Sequence, residues 1–225
     1  MLIFSPEPWH ITLFSLAVGL ASTLVILPFG IVLAWLFARK EWPLKSVAET
    51  IVLLPLVMPP VSTGLILLKI FGRRSPIGRW LYDRGIEIVF NWKGVVVAMA
   101  VMSFPLLVRS VRTSFADVNP RLEQIAATLG ASGWRIFFVI TIPLAYKGII
   151  AGALLAFSRA LGEFGATILL AGNIPGQTQT LSLAIFNFVQ TGNDPAAYML
   201  LAITVVLAFT FVWCSEWLLR AGKKT

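Results

Sequence analysis

Between Ile11 and Ala38 the chain carries no charged side chain for about 28 residues, ITLFSLAVGLASTLVILPFGIVLAWLFA. A helix rises about 1.5 Å per residue, so this run spans the roughly 30 Å hydrocarbon layer of a bilayer with length to spare. Lipid offers backbone amides no partner, which leaves only helices and closed barrels as spanning structures, and a continuous apolar run lacks the alternation of a barrel strand. The run is too long for a signal-peptide core and no basic segment precedes it, so it is expected to stay in the membrane. The rest of the chain agrees: 58% of its residues are hydrophobic and 12% charged, far from the balance of a soluble domain. The expected fold is therefore all-α, a polytopic bundle forming a single transmembrane domain over residues 1–225, since no linker or low-complexity stretch divides it.

Four more apolar runs follow. Thr50–Leu68 contains Pro55, Pro59 and Pro60, so its backbone loses donors and must kink or unwind where protein or water satisfies the freed carbonyls. Val89–Val108 includes Lys93, which reaches an interface by snorkelling. Gly148–Gly172 carries Arg159 and Glu163, and Ala197–Ser215 completes a count of five spans, with six possible. TLSLAIFNFVQ, between the last two, reads as a short partial or external helix.

Lysine and arginine are retained on the cytoplasmic side during insertion, so their distribution orients the chain. Arg39, Lys40 and Lys45 follow the first run; Arg109, Arg112, Arg121, Arg135 and Lys147 follow the third; Arg220, Lys223 and Lys224 close the sequence. Met1–His10 and Gly172–Pro195 have none, which places the amino terminus outside and the carboxyl terminus inside. One loop resists, because Lys69, Arg73, Arg74, Arg79 and Arg84 fall on the outer side: either it has an external task or a partial span changes the local topology. The net charge of +8 belongs to these flanks and not to a nucleic-acid surface. Chemistry finds little footing. The single histidine, His10, and single cysteine, Cys214, offer no metal-ligand set, so neither catalytic nor metal residues are expected. The terminal AGKKT lacks the spacing of a nucleotide-binding loop.

The informative segment is LEQIAATLGASGWRIFFVITIPLA, Leu122–Ala145, within a loop at about 116–145 on the cytoplasmic side. Asn119 suits an N-cap, Pro120 the first helical position and Gly130 a left-handed stop, which together define a helix of about ten residues. Leu122, Ile125, Ala126 and Leu129 share one face, and Ala126, Ala127, Gly130 and Ala131 carry little bulk, so another protein's groove can approach the backbone. A docking knob and an amphipathic helix lying on the membrane are both open on these grounds; the latter is normally richer in bulky apolar and basic residues. The second helical piece, after the glycine break, is expected to end at Pro143.

Gly130, Ile140, Ile142 and Pro143 also keep the spacing of the EAA loop, and the segment resembles that loop of bacterial ABC importer permeases. Gln124, Ile125 and Ala126 stand at the glutamate-alanine-alanine positions, with Glu123 displaced by one, so whether the family's glutamate salt bridge forms here is open. LPLVMPPVSTG, FGRRSPIGRW, FPLLVRSVRTSF and RALGEFGATILLAGNIPGQTQTLSLAIF extend the likeness over nearly the whole chain, toward the molybdate, sulfate and tungstate permeases and the molybdate branch in particular. The resemblance implies a second copy of the chain, two cytoplasmic ATPase subunits that bind ATP and Mg, and a periplasmic oxyanion-binding protein. It further implies a bacterial inner membrane and a coupling surface at Glu123, Gln124, Ala126, Ala127, Leu129, Gly130, Ala131, Ser132 and Pro143.

Within the spans, Arg159 and Glu163 stand at i,i+4 on one helical face, where intramembrane charges are expected to pair. A structural pair is the first reading and anion handling by Arg159 the second. Ser62 and Thr63, just beyond the proline kink, either line the pathway or bond their own helix. Two other functions remain open, a membrane scaffold that recruits a soluble partner and an ion-coupled carrier.

Overall fold

In a computed structural model that describes residues 8–222, the chain is helical throughout, with no strand among the described residues. Ser5, Lys223, Lys224 and Thr225 lie outside the described residues. Helix α1 (Pro8–Arg39) contains the whole uncharged run and extends through His10. It is followed by α2 (Lys45–Val57) and α3 (Pro60–Phe71), then a short α4 (Pro76–Tyr82) and the long α5 (Trp92–Asp117). Next come α6 (Pro120–Thr128), α7 (Gly133–Ile136), a π-helical segment Phe137–Thr141 and α8 (Ile142–Leu161). Helices α9 (Gly165–Ala171), α10 (Leu181–Gln190) and α11 (Asp194–Gly222) complete the order.

Among the described residues, four helical stretches are long and apolar enough to cross a membrane: Pro8–Arg39, Trp92–Asp117, Gly133–Leu161 and Asp194–Arg220. A fifth crossing is reached if the pair α2 and α3 counts as one, and that pair is bent by 110°. The bend falls at Met58 and Pro59. Pro59 and Pro60 supply no amide protons, so the helical ladder stops there and restarts with Pro60 in its first turn.

The fourth expected span, Gly148–Gly172, is displaced. Its helix starts at Gly133 and ends at Leu161, so Gly162–Phe164 forms a break and Gly165–Ala171 a separate helix. Pro143 does not end a helix either. Its ring excludes the carbonyl of Val139 from a regular α-turn, and the π segment just before it absorbs the mismatch with one wider turn. The chain therefore remains helical across the proline. Similarly, α5 starts at Trp92 and runs on to Asp117, beyond the expected Val108.

The core is built on close approach, since between helices in lipid packing must substitute for the hydrophobic effect. A Cβ on Gly30 of α1 would stand 2.6 Å from Leu107 of α5, and one on Gly152 of α8 would stand 3.1 Å from Val111. Helix α11 covers α8, where the buried Ser215 hydroxyl donates to the Ala151 carbonyl at 3.0 Å. Polar side chains elsewhere are quenched by their own helices: Ser15 donates to Ile11 O and Thr23 to Gly19 O, at 2.8 and 2.9 Å.

Two ends of the bundle follow from the contacts. At one, Ile11 packs with Leu181, Ala184, Phe188, Ala197 and Leu200, bringing together the starts of α1, α10 and α11. The loop between α3 and α5 lies at this end too, because Phe90 N–H donates to Leu170 O at 3.0 Å. At the other end Arg39, Arg112, Arg121, Arg135 and Arg220 gather around α6 and the ends of α5 and α11. The basic loop thus stands opposite the main basic cluster, without a sixth crossing among the described residues. Arg73 pairs with Glu87 at 2.6 Å and lies over Tyr82, and Arg84 lies over Trp80, so part of its charge is engaged within the loop.

Candidate coupling surface and broken-helix site

The α6 segment folds as its local chemistry dictates. The Asn119 side chain accepts from Arg121 N at 3.0 Å, Pro120 occupies the first turn, and Gly130 turns the chain at φ +84°. Gly130 N–H donates to Ala127 O and Ala131 N–H to Ala126 O, both at 3.0 Å, closing the helix end. Ser132 then caps α7 by accepting from Arg135 N at 3.4 Å. Leu122, Ile125 and Leu129 are exposed, Leu129 to 82%, and Gln124, Ala127, Gly130 and Ser132 share that exposure. Around Gly130 a Cβ would meet nothing within 4 Å, so this surface is open. Ala126 and Ala131 are half-buried, and Pro143 is exposed on α8. An apolar surface on a protruding polar-flanked helix is the shape of a contact for another protein.

What holds this knob was invisible in the spacing. Glu123, half-buried on the inner side of α6, pairs with Arg39 Nε at 3.0 Å and accepts from the Thr141 hydroxyl at 2.7 Å. Arg39 also donates through Nη2 to Val118 O at 2.8 Å. The displaced glutamate thus does form a salt bridge, a question its position in the motif left open. Displacement by one residue turns Glu123 about 100° around the helix from Gln124, toward the end of α1 and away from the exposed face. Thr141, the last residue of the π segment, is fully buried beneath it. Sequence reasoning missed Arg39 and Thr141 as partners, because only the wide turn brings Thr141 into register with α6. Phe137, packed against Trp35, Phe115 and Trp134 at centroid distances of 5.2, 6.3 and 6.3 Å, anchors the same turn in the core.

The second candidate site lies where two helix breaks meet. Glu163, 1% exposed, pairs through Oε2 with Arg159 Nη1 at 2.9 Å, while its Oε1 accepts from Ala166 N at 2.9 Å. One carboxylate thus neutralises the arginine and satisfies an orphan amide at the start of α9. Beside it, a Cβ on Gly165 would lie 2.8 Å from Pro60 Cβ, and one on Gly64 would lie 2.8 Å from Ala166 Cα. Freed backbone groups nearby are covered as well: Ser182 donates to Leu161 O at 3.2 Å and Ser15 accepts from Leu181 N at 2.8 Å. Thr63 does not bond its own helix; its hydroxyl, like that of Thr167, is buried without a hydrogen-bond partner. Ser62 is half-buried next to it. The structure therefore brings Ser62, Thr63, Arg159 and Glu163 to one region, around the abutting breaks.

The family model described as binding-protein-dependent transport system inner membrane component matches residues 26–222. The chain is 48% identical over 226 residues to the molybdenum transport system permease protein ModB of Escherichia coli (strain K12), covering 100% of this chain and 98% of that protein. It is 36% identical to the sulfate transport system permease protein CysT of the same strain, over 81% of this chain and 67% of that one. Among solved structures, a chain of the MetNI methionine ABC transporter in an inward-facing conformation superposes with a TM-score of 0.70 at 18% identity, covering 98% and 99% of the two chains.

Proposed function

This chain belongs to the family of binding-protein-dependent transport system inner membrane components, and on that premise we propose that it carries molybdate inward across a bacterial inner membrane. It is the multi-pass, non-catalytic permease subunit of an ATP-driven ABC importer. The observation that carries the cargo is the full-length 48% identity to a molybdenum permease, against 36% over a shorter match to a sulfate permease.

The partners follow from what the chain lacks and what it exposes. Hydrolysis belongs to a separate ATPase that holds ATP and Mg, two copies of which dock on the α6 knobs of two permease copies. A periplasmic protein selects the tetrahedral anion and delivers it to the opposite end. The amino terminus is then outside and the carboxyl terminus inside, which agrees with the basic cluster around α6. Residues 1–225 act as a single permease domain, with coupling through Gln124, Ala126, Ala127, Leu129, Gly130, Ala131 and Ser132 on the open surface. Glu123 acts from behind. Its bond to Arg39 and Thr141 makes α6, α1 and α8 one mechanical unit, so displacement of the knob by ATP-driven closure moves the pathway helices and exchanges access between the two sides. Pro143 serves through the π turn that sets Thr141. At the meeting of the helix breaks, Ser62 and Thr63 line the pathway, and the Arg159 charge is held neutral by Glu163 so that the anion passes without being trapped.

Gly130→Asp tests the docking assignment. A side chain at φ +84° costs about 1 kcal/mol in the helix stop, and the added charge occupies the open approach. Copurification of the ATPase and uptake of labelled molybdate are both expected to fall, with normal abundance in the membrane. Normal copurification together with normal uptake would remove the coupling role, and uptake of sulfate in preference to molybdate by the unaltered importer would reassign the cargo.

A further inference from the structure

Between α2 and α5, at the end of the bundle that bears α6, lies a cavity of about 310 Å³ with apolar walls from Phe37, Val52 and Val108. Glu49, Arg109 and Arg112 also line it. The charges do not cancel. Glu49 Oε2 meets Arg112 Nη1 at 3.0 Å, but Glu49 Oε1 is buried with no donor. Arg109 stands three residues before Arg112, on the same face of α5, and its exposed side chain has neither an ion pair nor a hydrogen bond among the described residues. One cavity therefore holds a carboxylate oxygen without a donor and a guanidinium without an anionic partner among the described residues, next to an apolar wall.

We propose that this cavity binds the headgroup of phosphatidylethanolamine. The phosphate accepts from Arg109 and the free edge of Arg112, the ammonium donates to Glu49 Oε1, and the glycerol and upper acyl chain follow the wall of Phe37 and Val108. The surroundings favour lipid over a soluble ligand. Helix α2 has no buried residue, and Val47, Ile51 and Leu54 form an exposed apolar stripe along it at i, i+4 and i+7. Arg109 lies eight residues before the end of α5, about 12 Å along the axis, on the half of that helix that carries the basic cluster. Basic pockets between helices near one membrane surface are a general means of headgroup recognition. Glu49 adds selectivity, because phosphatidylglycerol brings the phosphate and no cation to satisfy the carboxylate.

The inference rests on the membrane setting alone and not on the identity of the cargo. Native mass spectrometry of the full-length chain in detergent, titrated with phosphatidylethanolamine or phosphatidylglycerol of matched chains, reads it directly. The unaltered chain is expected to retain phosphatidylethanolamine preferentially. Arg109→Gln should lower that retention about tenfold, the loss of roughly one charge-assisted hydrogen bond. Glu49→Gln should erase the preference between the two lipids. Should Glu49→Gln fail to fold, Arg109→Gln decides, since that side chain is exposed and supports no other group. Equal retention of the two lipids by the unaltered chain would overturn the proposal, as would retention unchanged by Arg109→Gln. Displacement of the lipid by millimolar molybdate would make the cavity part of the cargo route and overturn it. Disulfide formation between two chains carrying Ile51→Cys in a Cys214→Ser background would place a second copy on this face, with the same consequence.

Discussion

Glu163 shows how much one side chain does when water is absent. It serves Arg159 with one oxygen and the Ala166 amide with the other, so its own charge, 1% exposed, is left with both oxygens engaged. Breaking a buried pair from one side costs roughly 3–5 kcal/mol, whereas removing both charges leaves no stranded ion. Arg159→Gln and Glu163→Gln are each expected to reduce abundance and uptake more than the double variant does, since each alone strands a charge. Additive losses in abundance would remove the pair from its structural role. Loss of uptake at normal abundance in Arg159→Gln, unrelieved in the double variant, would assign the arginine to the anion instead. The spacing of these two residues made the pair legible in advance; the bond to Ala166 was not, since it requires the break after Leu161.

At the scale of the element, the π turn at Phe137–Thr141 joins a local problem to a distant contact. Pro143 forbids a regular ladder behind it, the wider turn accepts that, and its last residue reaches Glu123 across a sequence gap. Thr141→Val keeps the shape and removes the hydroxyl, leaving a carboxylate oxygen short of one donor in a place it shares only with Arg39. Such a loss is of the order of 1–3 kcal/mol. The expected result is an assembled importer that still hydrolyses ATP but transports less molybdate per ATP, with Thr141→Ser close to normal. A loss of abundance equal for Val and Ser would mean that the turn only packs, and an unchanged transport-to-hydrolysis ratio in Thr141→Val would exclude transmission through it.

For the whole molecule, topology is the testable quantity. Five crossings follow if the bent pair α2 and α3 passes through as one, and the two ends of the bundle then carry α6 on one side and the turn at Gly176 and Gln177 on the other. With Cys214 replaced by Ser, a cysteine at the exposed Gln177 is expected to react with an impermeant thiol reagent in intact cells. One at the exposed Ser132 should react only after the membrane is opened. The reverse pattern would invert the orientation and remove the docking mechanism with it. Labelling at both positions would mean that Gly133–Leu161 does not separate them across the membrane, and would remove the orientation on which docking rests.

Read alone, the amino-acid sequence determined the helical class, the places of most long helices and the whole start and stop of the α6 knob. Those features are set by length in a hydrocarbon layer and by short-range capping, which act within a turn or two of the residues concerned. Asn119, Pro120 and Gly130 each do in the fold what their own chemistry requires. Tertiary structure alone decided the rest. Nothing in Gly148–Gly172 as an apolar run marks Gly162 as a break, because hydropathy cannot say whether the freed backbone will find partners; Ser182, Glu163 and the close approach of Pro60 to Gly165 supply them. Nor does the displacement of Glu123 from the expected position predict Arg39 and Thr141 as its partners. Which way a side chain points is local, but what it meets there depends on where a second and a third helix have been packed.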